Sequence, residues 1–149
     1  QLHMTLLDSL NKRINFLNDV IKLLKLKNIE TIHGRSEELG KNVKYREHYD
    51  LCVSRAVANL SVLSEYCIPF VKKGGKFVSY KSGNSFEEVK NAQNAIEKLG
   101  GKLGEIVDFS MKDSTEGAEF GRSLIVIEKI KETPKKYPRK AGMPSKEPL

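Results

Sequence analysis

Four places in this chain put a side chain that can hold a ligand directly after a short apolar run. Asp8 follows Leu2–Leu7, the turn Arg35–Ser36–Glu37 follows Ile29–His33, Arg55 closes Tyr49–Arg55, and Lys81 closes Lys76–Lys81. Brief apolar runs with polar ends are the pattern of buried parallel strands. Ligands of open parallel sheets sit beyond the carboxyl ends of the strands, so chemistry is expected at these four places. Asp8 has two coplanar acceptor oxygens and can take both hydroxyls of a nucleoside ribose. It also precedes a helix, and a helix N-cap is an equal reading of it. Glu37, with nearby amides, can read an adenine edge, or it is a solvated helix start. Arg55 and Lys81 are cations at the ends of apolar strands, where burial without a partner is costly. A phosphate, a carboxylate, an electron-rich base or a cofactor flank would satisfy them; the alternative is that they reach solvent at the sheet edge.

Other chemistries lack their residues. No Ser–His–Asp set, carboxylate dyad or glycine-rich phosphate loop is present, and Gly74–Gly75 and Gly100–Gly101 fit turns. His3, His33 and His48 have no ligand spacing, so no metal is assigned. Cys52 and Cys67 lie in apolar runs without a CxxC spacing and read as small buried hydrophobes in a reducing compartment.

Stepping from strand to strand, the elements that would carry these residues form an α/β pattern. A helix is expected over 9–26, with Leu10, Ile14, Leu17, Ile21 and Leu24 on one face and Lys12, Arg13, Lys22 and Lys25 elsewhere. Leu60–Phe70 reads as helical until Pro69 disrupts it. Gly74–Gly75 turns into the strand Lys76–Lys81. Phe86–Leu99 is a helix stopped by Gly100–Gly101. Leu103–Phe109 and Ser123–Lys129 read as a closing strand pair, with a mobile polar loop at 111–121. Strand–helix alternation followed by two consecutive strands predicts a mostly parallel sheet with an antiparallel close.

The chain has 149 residues, 39% hydrophobic and 30% charged, which suits one core. Lys and Arg number 26 against 19 Asp and Glu, a net charge of +7 that suggests a polyanionic partner. Residues 129–149 hold seven basic and two acidic side chains, so most of the surplus lies there. Pro134, Pro138, Pro144 and Pro148 make 133–149 read as an extended basic arm beside a domain at 1–132. Neither a bilayer-length apolar run nor a signal-peptide pattern is present, so the expected setting is cytoplasmic, without a membrane.

Four segments together resemble the ribosomal RNA small subunit methyltransferase G family, also called glucose-inhibited division protein B. They are T-L-L-D-S-L-N-K-R (5–13), S-R-A-V-A-N-L (54–60), F-V-S-Y-K-S-G (77–83) and T-P-K-K-Y-P-R-K-A-G-M-P-S-K-E-P-L (133–149). The resemblance implies a Rossmann-like methyltransferase sheet, S-adenosylmethionine as methyl donor, and guanine N7 of 16S rRNA in the small ribosomal subunit as target. It places Asp8 at the cofactor ribose, Ser36 and Glu37 beside the adenine, and Arg55 on the cofactor or substrate side. It places Lys81 near the pocket facing RNA; Arg13 and, from the charge of the tail, Lys135, Lys136, Arg139 and Lys140 are expected as further RNA contacts. Members of the family open with a helical segment, a central strand and a glycine-rich cofactor loop, and this chain starts just after them. The expectation is therefore an N-terminally truncated, inactive sheet with unpaired edges, which either close on each other or are covered by another chain. Two rival readings remain: an RNA-binding module without catalysis and a dinucleotide-dependent oxidoreductase.

Overall fold

The order of elements is β1 (Met4–Asp8), α1 (Asn11–Leu23), β2 (Ile29–His33), α2 (Ser36–Leu39), β3 (Tyr49–Ser54) and α3 (Leu60–Cys67). A 3₁₀ turn (Ile68–Phe70) leads to β4 (Val71–Ser82), α4 (Phe86–Lys98), β5 (Gly101–Lys112), β6 (Glu119–Lys129) and α5 (Met143–Lys146). The structure is a computed structural model and describes residues 2–55, 58–83, 85–112 and 119–149.

These strands form two sheets. β1 and β2 are parallel, in register from Met4 opposite Ile29 to Asp8 opposite His33. The second sheet has the order β3-β4-β6-β5. β3 and β4 are parallel, and β6 runs antiparallel to both β4 and β5. The α/β pattern with an antiparallel close is therefore present, but among the described residues the two halves do not pair with each other. β4 begins at Val71, earlier than the expected Lys76. It absorbs Gly74, at φ +87°, in an irregularity that shifts the β3–β4 register. β5 and β6 both run further than expected into the loop at 111–121; positions 113–118 of that loop lie outside the described residues.

One face of the four-stranded sheet carries the core. Phe77 of β4 and Ile125 and Ile127 of β6 meet Leu60, Leu63 and Cys67 of α3 and Val89, Ala92 and Ile96 of α4. The steps of three and four in α4 put one apolar stripe against this sheet. The α1 face is less covered than its periodicity predicts: Ile14 is buried, while Leu10 and Leu24 are exposed. Among the described residues no helix is long and apolar enough to cross a membrane.

Residues 133–149, expected as an extended arm, instead lie against the domain. Tyr137 joins the core, and Pro138 and Pro144 are fully buried. The Arg46 guanidinium donates to the carbonyls of Thr133, Pro134 and Tyr137 at 2.5, 3.3 and 2.8 Å, and to that of Gly40 at 2.9 Å. Lys129, 1% exposed at its side chain, pairs with Glu47 at 3.0 Å and donates to Thr133 Oγ1 and the Ile68 carbonyl. Composition alone counts the prolines and charges as solvent-seeking. Here Pro138 and Pro144 are buried without needing amide partners, and Lys129 and Arg139 meet acids of opposite sign, while Pro134, Pro148, Lys135, Lys136 and Lys140 stay exposed.

Candidate active site

Asp8 lies beside the turn after β2. The two strands end together, and the Gly34 amide donates to the Asp8 carbonyl at 3.1 Å. The Asp8 Oδ1 atom accepts from the Leu10 amide at 2.8 Å, and Oδ2 lies 3.3 Å from Arg13 Nη1. The carboxylate thus braces the approach to α1, while Arg13 itself is largely exposed. The helix N-cap position falls on Leu10 and uses no side chain.

Glu37 is neither solvated nor open to a ligand. It is 6% exposed, its Oε1 accepts from the Gly142 amide at 2.9 Å, and its Oε2 accepts from the Ser36 hydroxyl at 3.4 Å. The folded C-terminal segment therefore seals this carboxylate. Arg55 is exposed and makes no ion pair among the described residues, so the desolvation argument for a partner does not apply to it.

Lys81 has a partner within the chain. Its side chain is 9% exposed, and Nζ donates to the Ala58 carbonyl at 2.7 Å and to Glu88 Oε1 at 2.6 Å. It ties the end of the loop after β3 to the first turn of α4. Asn59 holds the same loop by accepting from the Val62 amide at 3.0 Å, the N-cap of α3. Of the expected RNA contacts, Lys135, Lys136 and Lys140 are exposed. Arg139 is not free: its guanidinium grips both oxygens of Glu65, 1% exposed, at 2.7–3.1 Å. Hydrogen bonding to Glu65 raises the Arg139 pKa.

Glu65, Glu88, Arg46 and Gly142 were not singled out from sequence. Glu65 had a usable signal, because a lone carboxylate in the otherwise apolar or small run Leu60–Ser64 needs a cation if that helix is central. Gly142 had none, since its partner lies 105 positions away. Two surface clefts, about 540 and 350 Å³, are lined at the opposite ends of the strands, by residues such as Gly101, Lys102 and Lys131 and by His3, Met4 and Glu30. Among the described residues no group of three or more His, Cys, Asp or Glu is placed to hold a metal. Cys52 and Cys67 are free thiols; a hydrogen bond with Cys52 and burial push the Cys67 thiol up.

A family model described as rRNA small subunit methyltransferase G matches residues 1–116. A ribosomal RNA small subunit methyltransferase G from Lachnoclostridium phytofermentans is 55% identical over 148 residues, 99% of this chain and 60% of that protein. One of the same name from Acetivibrio thermocellus is 54% identical over 149 residues, 100% of this chain and 60% of that protein. The chain thus spans about 60% of the length of these relatives. In fold it is similar to TYW2 of M. jannaschii in complex with AdoMet, with a TM-score of 0.61, 18% identity, and 86% of this chain and 58% of that one covered. A methyltransferase structure from Bacillus halodurans gives a TM-score of 0.60 at 13% identity, covering 85% of this chain and 83% of that one. At these identities the structural likeness shows a Rossmann-like methyltransferase fold.

Proposed function

The chain belongs to the rRNA small subunit methyltransferase G family, and on that premise we propose that it serves in S-adenosylmethionine-dependent methylation of guanine N7 in 16S rRNA. The observation that carries this reading is the placement of Asp8 beside the 34–37 turn at the carboxyl ends of β1 and β2. The chemistry of that donor set fits the nucleoside half of the cofactor. Asp8 offers two oxygens whose present partners are exposed and exchangeable, which suits a ribose diol. Ser36 and the backbone at Glu37 flank the adenine; the Glu37 carboxylate, held by Gly142, fixes that turn rather than reading the base.

The cofactor supplies a methyl group on a sulfonium sulfur. Guanine N7 carries a lone pair and no proton, so its attack requires no general base. The rate then rests on alignment and on fixed charge around the reacting atoms. Arg55, exposed at the end of β3, offers a forked donor to a phosphate or to guanine O6. Lys81 and Asn59 hold the far end of the loop that Arg55 opens, so they position it without touching the substrate. The target base must leave its stack to reach this position, which favours a loop nucleotide. The substrate is small-subunit RNA and the setting is cytoplasmic.

The test is calorimetric titration of S-adenosylmethionine into this chain and into a chain extended with the preceding segment of the A. thermocellus relative. Binding by the extended chain, weakened roughly ten- to a hundredfold by Asp8→Ala, is the expected result, since a lost charge-assisted hydrogen bond is worth roughly 1.5–3 kcal/mol. Absence of binding in both chains overturns the reading. Methylation of small-subunit RNA at a site other than guanine N7 overturns the stated target alone.

A further inference from the structure

The four-stranded sheet has a second face, opposite the one that carries the core, and it too is apolar. Side chains alternate along a strand, so the core set Phe77, Ile125 and Ile127 leaves Val78, Tyr80, Leu124 and Val126 on the other side. On β5, Val107 and Phe109 are opposite Leu124 and Arg122, and Met111 is opposite Phe120, which puts them on that same side. β4 ends at Ser82, opposite Arg122, so Met111 and Phe120 belong to a part of the β5–β6 hairpin that runs on past β4. Tyr80, Phe109, Met111 and Phe120 are 40–54% exposed. Exposed rings grouped in this way mark a binding surface. Cations are set among them. The Arg122 guanidinium lies over the Phe120 ring, 5.6 Å from its centroid, and Nη1 donates to the Gly121 carbonyl at 3.0 Å. Arg55 follows Ser54, whose register partner is Ser79, so it lies at the level of Tyr80. Arg55, Tyr80, Arg122 and Phe120 therefore alternate cation and ring across three strands. The described acids are placed elsewhere. Asp108 is in the alternate set and accepts from the Ser123 hydroxyl, and Glu119, opposite Lys112, has a register position in that set. Glu105, exposed in the irregularity before Ile106, and Glu128, opposite Lys76 and Lys102, lie toward the other end of the strands from Arg55.

We propose that this face of the β5–β6 hairpin is a stacking platform for unpaired RNA bases that flank the methylated one. The proposal rests on the methyltransferase reading for its partner and goes beyond it by adding a site that takes bases rather than phosphates. Every base has a π-face, which stacks on a phenyl ring or on a guanidinium plane, and the Phe120–Arg122 pair with Phe109 offers both. A protein cover would need the apolar side chains but not the cations between them. The platform is continuous with Arg55: two strand spacings across and four residues along put Phe120 on the order of 15 Å from it. That distance equals about four stacked nucleotides. The substrate is therefore an unpaired stretch of several nucleotides, held at Arg55 and again at the hairpin. A duplex keeps its bases stacked on one another and has none to give to these rings.

The test is binding of fluorescent RNA, a single strand of about 12 nucleotides and a duplex of the same length, across a salt series. It compares the parent with a variant carrying Phe109→Ala and Phe120→Ala, in this chain and in the extended chain described above. The substitutions are expected to weaken single-strand binding by about five- to a hundredfold. The slope of log K against log salt and the affinity for the duplex should both stay as in the parent, because no phosphate contact is lost. Equal losses on single strand and duplex, a flattened slope, no loss, or no single-strand binding by the parent would each overturn the proposal. A second measurement uses Phe120→Trp, since the chain has no other tryptophan. Its emission should be quenched by the single strand and unchanged by dilution. Emission already shifted to the blue and indifferent to RNA in the extended chain would assign the face to the preceding segment. A shift that depends on protein concentration would assign it to a second copy; either result overturns the proposal. The cofactor titration above does not involve these residues, so failure of the methyltransferase reading is seen separately from failure of the platform.

Discussion

Glu65 and Arg139 show what single residues do here. A carboxylate 1% exposed inside α3 is tolerable only because a guanidinium and the Arg139 amide satisfy both of its oxygens. Arg139→Met leaves that charge buried without its cation. It is expected to lower unfolding free energy by about 3 kcal/mol in urea denaturation, and Glu65→Gln with Arg139→Met should recover part of the loss. Glu47 gives a pH dependence. Burial pushes its carboxyl up, but the Thr133 amide and Lys129 outweigh this, so its pKa falls below the ordinary 4.5. A depressed carboxyl stabilises the fold above its unfolded value and loses that contribution as pH falls through its folded value. The urea midpoint should therefore drop as the pH is lowered from 4.5, and Glu47→Gln should drop less over the same interval. A Glu47→Gln profile parallel to the parent's would assign the acid sensitivity to other carboxylates.

At the scale of elements, strands and helices with a clear period were legible and the long-range fastenings were not. Ile29–His33 was bounded correctly because a short apolar run ending in a polar turn has few alternatives. The start of β4 was placed too late because Gly74 and Gly75 signal a turn, whereas here they relieve a register shift inside the strand. Strand ends also located Asp8 and the Ser36 turn, since sheet geometry alone puts them together. They could not show that Glu37 and Lys81 are already occupied, because Gly142, Ala58 and Glu88 come from other parts of the chain. Gly100 shows how one backbone conformation joins two elements. It ends α4 at φ +87° and accepts from the amides of Ile130 and Lys131, and a Cβ there would press on the Lys131 carbonyl oxygen. Gly100→Ala is expected to cost more than about 1 kcal/mol, and Gly83→Ala, at φ +71° with open space around it, to cost less. Similar thermal midpoints for the two variants would count against Gly100 as a packed junction.

For the whole molecule, the α/β class is legible in the order of apolar runs, but the packing of the tail is not. Proline and lysine mark solvent only while no core is visible to receive them. In the fold, removal of residues 137–149 would strip partners from Glu37 and Glu65 and take Tyr137 out of the core. That deletion should convert a single cooperative unfolding transition into a broad one, measured by near-ultraviolet circular dichroism. A deletion variant that melts as sharply as the parent would show the tail to be dispensable for packing.

The Arg46 clasp and the Glu65–Arg139 pair also set an order of events during synthesis. Every strand among the described residues precedes residue 130, so the sheets can form while the chain is still being made. The Gly142 amide that donates to Glu37 and the Arg139 that pairs with Glu65 are added after those strands. Until those residues leave the ribosome, Glu65 lacks its cation and Glu37 has only the Ser36 hydroxyl, so α3 is without the charge partner of its buried carboxylate. The nascent domain therefore stays open to proteases and chaperones to the end of this segment, and its maturation coincides with emergence of the tail rather than with completion of the sheet.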